Sequence, residues 1–380
     1  MQKLLFYTKM NFGIEATGGI KNKVLSQKEA FEQLGFEVDF FYFENNIIKI
    51  ATKNGIIEYV AKSKFDFLKY LFGGFLSNVN IQDYSCMYVR HFLTNPMFIF
   101  LLKRIKRKNP TIKIFMEIPT FPYQFEFTHF SLIKRIELSL DLFSAKFFKK
   151  YIQKIVTFSP KEFIYGIPTI RTDNGIDTAK FGLIDPPASF EEKEIHLLGL
   201  ANIQIWHGLD RVIEGLAIYN KTSPNLKVIF HIVGRGDELP NLEKLIEKYQ
   251  LSDSVKIHGF LSGKALEKMF AESHLGVGSL GMHRINASKG ETSTLKSREF
   301  ASRGLPFVIA YTDRGFPENY PYILNIEANE TPVDIHEVIE FYKRVSAIES
   351  YNKTMNDYAQ NNLTWHAKLK NVAENFRKNE

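Results

Sequence analysis

Short apolar runs alternate with stretches of helical periodicity in the first part of the chain. The run from Lys3 to Thr8 predicts a strand, and the segment after it has apolar residues on one helical face, at Ile20, Val24, Phe31 and Leu34. Gly35 then ends the helix, and the apolar run from Glu37 to Phe43 predicts the next strand. The pattern is therefore a βαβ unit of the dinucleotide-fold type.

The same pattern starts again in the second half of the chain. Ile195 to Leu200 predicts a strand, His207 to Tyr219 a helix, and Val228 to Val233 a strand that ends in Gly234-Arg-Gly236. Strands and helices continue to alternate as far as Ala310. Because α/β folds arise from such alternation, we predict an α/β protein with two Rossmann-like domains.

Length and composition limit the protein class. A chain of 380 residues exceeds one ordinary core, and its 44% of hydrophobic residues is typical of a globular protein. The single cysteine, Cys86, excludes an internal disulfide and fits a reducing compartment. The run from Phe92 to Leu102 is too short to span a membrane, and Met1 to Thr8 is too polar for a signal peptide. We therefore expect a cytoplasmic protein.

Positive charge is concentrated in the first half of the chain. Residues 61–155 hold 16 Lys and Arg against 6 Asp and Glu, which leaves the remainder at −3 within a total of +7. Three stretches there mix aromatic and basic residues: Phe65 to Phe75, Phe92 to Lys108 and Phe125 to Tyr151. Most such aromatics belong to a core, and no nucleic-acid module accompanies them. We expect a peripheral contact with an anionic membrane surface and no nucleic-acid partner.

The stretch from Glu291 to Pro306 carries the clearest chemistry. Thr292, Ser293 and Thr294 predict a capped helix start, and Gly304 followed by Pro306 predicts its end before a buried strand. A helix N-terminus after a strand favours anions, and the carboxylates of Glu291 and Glu299 beside it suggest sugar hydroxyls as ligands. Taken alone, the pair also fits a surface helix with two solvated glutamates.

Five ordered landmarks give the chain a family resemblance. They are Gly18-Gly19, Asn174 to Asp177, Gly234 to Gly236, Glu291 with Glu299, and Trp365. Together they resemble GT-B glycosyltransferases of the family 4 type. The resemblance implies two Rossmann-like domains facing each other across a cleft, with residues 1–182 binding the acceptor and 183–350 the nucleotide sugar. It also implies that the helices of 351–380 pack back on the first domain.

The resemblance assigns roles to individual residues. Glu299 is expected to bond the ribose hydroxyls and Glu291 the donor sugar, a UDP- or GDP-linked hexose or related sugar. The amides of Thr292, Ser293, Thr294 and Leu295 would hold the diphosphate together with Lys296, and Gly18 and Gly19 would lie near the donor phosphates and the acceptor. The implied reaction retains the anomeric configuration and uses neither a metal nor another cofactor.

Two departures from the family pattern affect these roles. Glu117 stands where the family usually has a histidine, so its role falls either to Glu117 or to His91. Asn202 and His207 stand where the family usually has an Arg and a Lys for the donor diphosphate. Candidate replacements for that missing pair are Lys296, Arg211 and Arg235.

The sequence therefore predicts a glycosyltransferase of surface polysaccharide or glycan synthesis, acting on a saccharide or lipid-linked saccharide. A sugar-nucleotide epimerase of the same fold remains an alternative, as does an inactive subunit that binds a nucleotide sugar. A nicotinamide enzyme is disfavoured, because Gly18-Gly19 lacks the full G-x-G-x-x-G pattern.

Overall fold

A computed structural model describes residues 1–14, 18–124, 132–185, 194–285 and 291–378 of the chain. The chain folds as two compact units. Met1–Gly175 and Trp365–Glu380 form the first, and Ile176–Thr364 forms the second. Unit 1 and unit 2 each have their own sheet and their own core.

Unit 1 contains a nine-stranded sheet among its described residues, in the order β4-β3-β2-β1-β5-β6-β7-β9-β8. Its strands are β1 (Gln2–Asn11), β2 (Phe36–Glu44), β3 (Ile47–Thr52), β4 (Gly55–Val60), β5 (Cys86–Arg90), β6 (Lys113–Glu117), β7 (Lys154–Thr157), β8 (Phe163–Ile164) and β9 (Ile167–Arg171). Its first four helices are α1 (Gly18–Gln33), α2 (Lys64–Leu71), α3 (Pro96–Lys108) and α4 (Leu132–Ala145). Sequence patterning assigns no element to residues 47–60, yet they add two antiparallel strands to the parallel sheet.

Side chains of β1 alternate between two apolar layers. Leu4 and Phe6 pack in the layer that contains α1, whereas Leu5 and Tyr7 pack in the layer that contains α3. All four are fully buried. Both faces of the sheet are therefore covered, which explains why β1 reads as one continuous apolar run.

Unit 2 contains a six-stranded parallel sheet among its described residues, in the order β12-β11-β10-β13-β14-β15. Its strands are β10 (Glu194–Asn202), β11 (Lys227–Arg235), β12 (Val255–Gly259), β13 (Leu275–Val277), β14 (Phe307–Ile309) and β15 (Ile323–Asn325). Its helices are α5 (Leu209–Asn220), α6 (Leu239–Lys248), α7 (Gly263–Ala271), α8 (Leu295–Arg303), α9 (Ile335–Ser346) and α10 (Tyr351–Asn362).

The order of the strands reverses between β10 and β13. In doubly wound sheets a ligand binds at the carboxyl ends of the strands beside such a reversal. The backbone there is tight, because Gly234 has φ +136° and a Cβ on it would lie 1.7 Å from the carbonyl oxygen of Ala201. Only glycine fits at this position.

The last helix, α11 (Trp365–Arg377), returns to unit 1. It packs against α1, with Leu369 and Phe376 in the same apolar layer. The structure thus divides the predicted terminal segment 351–380: α11 joins unit 1, whereas α10 packs on α8 in unit 2. Gly304 allows that close packing, because a Cβ on it would lie 2.6 Å from the backbone oxygen of Asn352.

Four histidines of unit 2 lie side by side: His196, His231 and His258 are on adjacent strands, and His274 directly precedes β13. His196 Nδ1 is 2.8 Å from His231 Nε2, and His231 Nδ1 is 2.9 Å from His258 Nε2. His274 accepts the backbone N–H of His196 at Nδ1, at 3.1 Å. Burial lowers the pKa of His231 and of His274 to about 4, so these rings are neutral at pH 7.

The aromatic and basic stretches of unit 1 become α2, α3 and α4. Residues 125–131 of the third predicted stretch lie outside the described residues, and its described helix begins at Leu132. Among the helices that the structure describes, none combines the length and apolarity needed to span a membrane.

Candidate functional site

The predicted stretch from Glu291 to Pro306 folds as expected. Thr294 caps α8, since its hydroxyl accepts the N–H of Ser297 at 3.3 Å, and Tyr311 holds that hydroxyl at 2.8 Å. Gly304 ends the helix with φ +73°, and β14 follows directly. The capped helix and the buried strand predicted here are therefore confirmed.

The amides open to a ligand differ from those predicted. The N–H of Thr292 is occupied by the carbonyl of Thr312 at 3.1 Å, which corrects its proposed part in diphosphate binding. Ser293 has other contacts in the fold, and the cap takes the amide of Ser297. At this helix end, the amides of Thr294, Leu295 and Lys296 donate no hydrogen bond to any residue that the structure describes. The amides open to an anion thus begin at Thr294 and not at Thr292.

Lys296 is a partly buried cation at the same helix end. No hydrogen bond or ion pair reaches its Nζ from any residue described in the structure. Burial lowers the pKa of Lys296 to about 7. A cation at a helix N-terminus also opposes the helix dipole. Among the described residues, the ammonium group of Lys296 therefore has no counter-ion, and it lies beside the open amides of the helix start.

His207 lies close enough to Lys296 to feel its charge. Burial, and then the positive charge of Lys296, lower the pKa of His207 to about 3, so the ring is neutral. Its Nδ1 accepts the N–H of Gln204 at 2.9 Å, which leaves the ring proton on Nε2. His207 thus provides a neutral donor where the family usually has a lysine, and the assignment of the cation to Lys296 stays a prediction.

Glu299 is largely buried on α8. Its Oε1 accepts Arg303 Nε at 3.1 Å, and its Oε2 has no hydrogen bond among the described residues. Burial raises the pKa of Glu299, although Arg303 opposes that shift. Arg303 itself is held by both oxygens of Glu267 at 2.6 and 2.7 Å. One oxygen of Glu299 therefore remains available to hydroxyl donors.

Glu291 is exposed and lies in front of the helix. It pairs with Thr312 in an isolated parallel β-bridge. Thr312 also lines a cavity of about 630 Å³ at the carboxyl ends of β14 and β15, whose walls include Tyr311, Phe316 and Tyr320. A cavity of this volume is within the range of small-molecule sites.

The two candidate arginines, Arg211 and Arg235, differ in burial and in their contacts. Arg211 is buried, and its guanidinium donates to the carbonyl oxygens of Thr331, Leu280 and Glu327 at 2.8, 2.6 and 3.0 Å. It is therefore a structural residue, which corrects its candidacy for the diphosphate. Arg235 is exposed at the end of β11, paired in register with Asn202, and remains a candidate.

Sequence reasoning missed the buried ion pair under the helix. Arg298 is completely buried and pairs with Asp313, which also accepts the hydroxyl of Ser297 at 2.8 Å. The 14 residues between Arg298 and Asp313 include a helix end and a strand, so no local pattern links them. The pair fixes α8 to the segment that follows β14.

The catalytic candidates of unit 1 are also committed to internal contacts. Glu117 is fully buried and accepts Gln27 Nε2 at 2.9 Å and Arg90 Nη1 at 2.8 Å. Burial alone would raise the pKa of Glu117, but Arg90 and Lys23 outweigh it and lower the pKa. Glu117 is therefore an ionised structural carboxylate, which corrects its proposed catalytic contact with substrate.

His91 faces Asp141. Its Nε2 is 3.4 Å from Asp141 Oδ1, and its ring lies 4.6 Å from the ring of Tyr123. Asp141 is itself buried and accepts both the amide and the hydroxyl of Thr94, at 2.8 and 2.6 Å. These contacts favour a positioning role for His91 at the strand end. Gly18 and Gly19, expected in the turn before the helix, are instead the first residues of α1, and their proposed place near the donor phosphates stays a prediction.

The described residues contain no group of three or more His, Cys, Asp or Glu side chains arranged to hold a metal ion. The expectation of a metal-free reaction stays a prediction.

Comparison with known proteins complements this geometry. Residues 183–362 match the family model described as glycosyl transferases group 1. A search of curated proteins finds no match.

Solved structures are similar over nearly the whole chain. Anabaena Alr3699/HepE in complex with UDP is 13% identical with a TM-score of 0.62, covering 99% of this chain and 100% of that one. Sucrose-phosphate synthase from Thermosynechococcus elongatus is 15% identical with a TM-score of 0.60, covering 99% and 98%. The catalytic domain of starch synthase IV from Arabidopsis thaliana, bound to ADP and acarbose, is 10% identical with a TM-score of 0.60, covering 99% of each chain. At identities this low, structural similarity shows the fold alone. It confirms the predicted GT-B class with two α/β units built on parallel sheets.

Proposed function

We propose that this glycosyltransferase, whose residues 183–362 match the family model of glycosyl transferases group 1, moves a hexose or related sugar from a nucleoside-diphosphate donor to a saccharide or lipid-linked saccharide. The proposed reaction retains the anomeric configuration, as in the family 4 enzymes that the motif resembles. Its proposed setting is the synthesis of a surface polysaccharide or other glycan.

The observation that carries the proposal is the uncompensated charge at the start of α8. Lys296 has no counter-ion among the described residues, and the amides of Leu295 and Lys296 are open. A diphosphate would supply the missing negative charge to both. As the bond from the anomeric carbon to the diphosphate breaks, these groups would stabilise the charge that develops on the leaving oxygen.

Two carboxylates extend this site towards the rest of the donor. We assign the ribose hydroxyls to the unbonded oxygen of Glu299 and the sugar hydroxyls to Glu291, beside the cavity of about 630 Å³. HepE, which has a similar fold, has been solved with UDP and with UDP-glucose. That likeness supports a uridine donor as the first one to test.

A thermal-shift series tests the donor assignment. UDP, GDP, ADP and CMP are added separately to the purified chain, and a ligand that binds only the folded state raises Tm by mass action. We expect a diphosphate to stabilise the chain more than CMP does. Equal effects of all four nucleotides, or none, would remove the diphosphate site.

Product analysis separates the proposed transfer from its alternatives. With donor alone an epimerase changes the sugar of the nucleotide, whereas the proposed transferase makes a new saccharide only when acceptor is present. An inactive binding subunit does neither, even though nucleotide raises its Tm.

We also propose that α3 and α4 rest on an anionic membrane surface. Five apolar side chains along α4 are between 41% and 72% exposed, namely Leu132, Ile133, Ile136, Leu140 and Phe143. On α3, Phe100 is 59% exposed and lies close to the exposed Lys103 and Arg107. An apolar face flanked by basic residues is the pattern of a helix that lies in the headgroup layer.

Vesicle sedimentation tests this contact. The triple variant Lys103→Glu/Arg107→Glu/Lys108→Glu should lose binding to anionic vesicles, and added salt should weaken the wild type. Lys106 is left unchanged, because its Nζ donates to the carbonyl of Ile112 at 2.5 Å. Charge reversal of Lys264 and Lys268 on α7 is the control. Absence of wild-type binding would end the proposal, and concentration-dependent dimers would assign the face to a second copy.

A further inference from the structure

A compact charged cluster lies at the carboxyl ends of two neighbouring strands of unit 1. Arg90 ends β5 and Glu117 ends β6, and the two residues are paired in register. Arg90 Nη1 is 2.8 Å from Glu117 Oε2, and Lys23 Nζ of α1 is 4.0 Å from Glu117 Oε1. Two cations thus share one carboxylate.

The two cations of this cluster are partly exposed, whereas the carboxylate is buried. The Glu117 side chain is 1% exposed, whereas Lys23 and Arg90 keep 11% and 15% of their side-chain surface. A ligand can therefore reach the two cations but not the carboxylate between them. Arg90 uses only Nη1 within the described part of the chain, so its other N–H groups remain available for hydrogen bonds.

Lys23 is poorly compensated by its other neighbours. Its Nζ donates to Asn174 Oδ1 at 2.8 Å and lies 4.5 and 5.2 Å from the ring centres of Phe158 and Trp365. These contacts are neutral. Burial and the charge of Arg90 lower the pKa of Lys23 to about 7, and the opposing effect of Glu117 is too small to prevent this. A second anion near Lys23 would restore its charge.

A guanidinium and an ammonium that are both partly exposed match an oxyanion, because Arg offers paired N–H donors and Lys a point charge. We propose that Arg90 and Lys23 bind a phosphate or carboxylate group on the acceptor saccharide. This inference rests on the proposed transferase function and deepens it, since it names the acceptor as an anionic sugar or a sugar linked to phosphate. Glu117 acts as a positioning residue, because it orients both cations from beneath.

The balance of charge gives the reason for this arrangement. With no carboxylate, two like charges close together would repel each other and push Lys23 towards its neutral form. With two carboxylates the site would be neutral and would not attract an anion. One buried carboxylate holds both side chains in place and leaves one positive charge for the ligand.

The binding experiment uses the full chain saturated with UDP, so that the donor site at Lys296 is already filled. Glucose 1-phosphate, glucuronate and neutral glucose are titrated separately by calorimetry at pH 6.5. We expect at least one of the two anionic sugars to bind at least about tenfold more tightly than glucose, the scale of one charged hydrogen bond. Preference for the phosphate indicates a phosphorylated or lipid-phosphate acceptor, and preference for the carboxylate indicates a uronic acid.

Variants then assign the binding to this cluster. Arg90→Gln and Lys23→Met should each weaken the anionic sugar about tenfold or more and leave UDP affinity unchanged. Lys28→Met is the matched control, because Lys28 is on the same helix and pairs with Glu32 at 2.7 Å. The double variant Arg90→Gln/Glu117→Gln keeps the local charge balance, so it tests the loss of Arg90 even if Arg90→Gln alone fails to fold.

The pH dependence gives an independent readout. Affinity for the anionic sugar should fall as pH rises above about 7, because Lys23 then loses its proton. The charges acting on Lys23 are Glu117 of β6 and Arg90 of β5. On the α11 side it meets the ring of Trp365, and Lys368 of that helix is paired with Asp173 at 3.1 Å. Lys23→Met should remove this pH dependence.

Two outcomes overturn the inference. One is equal affinity for glucose and both anionic sugars, and the other is anion binding that the cluster variants leave unchanged. Failure of UDP itself to bind would instead contradict the donor site in unit 2. In that case the same titrations, repeated with inorganic phosphate and the Lys296→Met background, still decide the role of Arg90 and Lys23.

Discussion

The two units treat their buried cations differently. In unit 2 two buried arginines pair with carboxylates, Arg298 with Asp313 and Arg303 with Glu267 and Glu299, whereas the buried Arg211 donates to three carbonyl oxygens. Lys296 has no such partner among the described residues. In unit 1, Lys23 and Arg90 share the single carboxylate of Glu117.

This difference separates structural charges from charges kept for a ligand. A matched cation holds elements together, and its loss should cost stability. An excess cation costs stability in the free protein, because burial disfavours a charge without a counter-ion. It is retained where a bound anion compensates it. The comparison can be tested by removing one charge of each kind.

The largest effect is expected for the matched pair under α8. Asp313→Ala leaves Arg298 buried without its carboxylate, and breaking such a pair costs about 3–5 kcal/mol. Chemical denaturation of the variant measures this loss. Glu340→Ala is the control, because Glu340 forms an exposed pair with Lys343 and should change the free energy of unfolding by less than about 1 kcal/mol. Equal losses in both variants would contradict the distinction.

Lys296→Met removes the unmatched cation, and it should lower turnover without lowering the stability of the fold. We expect turnover to fall about 100-fold or more, the scale for losing one preorganised electrostatic partner. Initial-rate measurement with saturating acceptor checks this. Lys268→Met on the exposed surface of α7 is the control and should keep full turnover. Unchanged turnover of Lys296→Met would move the diphosphate to Arg235.

The same variant should be more stable than the wild type in the absence of donor. The folded pKa of Lys296 is about 7, below the usual 10.5, so protonation is less favourable in the folded chain than in the unfolded chain. The cost of the ammonium is full below pH 7 and disappears as pH rises through 10.5. Lys296→Met should therefore raise Tm at pH 6.5 and lose this advantage towards pH 10.

Mild acid should distinguish the two units. His231 and His274 have folded pKa values of about 4 against the usual 6.5, so unit 2 loses stability as pH falls from 6.5 towards 4. The loss between pH 7 and 5 should be about 2 kcal/mol for each of these two histidines. In unit 1 the pKa values of Glu117 and Asp141 are lowered, so both carboxylates stabilise the fold at any pH above the usual pKa of a carboxyl group. The stability of unit 1 should therefore change little above pH 5.

Hydrogen exchange resolved by segment measures this difference. Amides of β10 and β11 should lose protection at pH 5 relative to pH 7, whereas those of β1 and β5 keep it once intrinsic exchange rates are corrected. The double variant His231→Gln/His274→Gln should reduce the response of unit 2 and leave the part that comes from His207. Equal loss in both units would trace the effect to a source other than these histidines.

The smallest effect is expected for the carboxylates of the donor site. Glu299→Gln should weaken UDP about tenfold without unfolding the chain, because hydrogen bonds to a charged acceptor are about twice as strong as neutral ones. Glu291→Ala should lower turnover more than it weakens UDP. Calorimetry and initial rates separate the two roles, and unchanged UDP affinity in Glu299→Gln would remove the ribose contact.

Much of the fold and part of the site follow from local pattern. The βαβ unit at the N-terminus, the repeat that begins at Ile195 and the helix ending at Gly304 were all predictable, since periodicity, capping residues and glycine act over a few positions. The hairpin strands β3 and β4 were missed, although Asn54-Gly55 between two runs rich in isoleucine is a local hairpin signal. The packing of α10 in unit 2 also lacked a local signal.

The sequence by itself determined the order of strands and helices, the excess of basic residues and the position of Lys296 at a helix start. These properties depend on residues close together in the chain. Only the tertiary structure decided which charged side chains have partners within the fold. Arg298 contacts Asp313 across a helix end and a strand, and Arg211 contacts carbonyl oxygens more than 60 residues away. Lys23 and Glu117, 94 positions apart in the sequence, meet only after the sheet has formed. Burial and pairing are sums over such distant contacts, so the residue types alone leave them undecided.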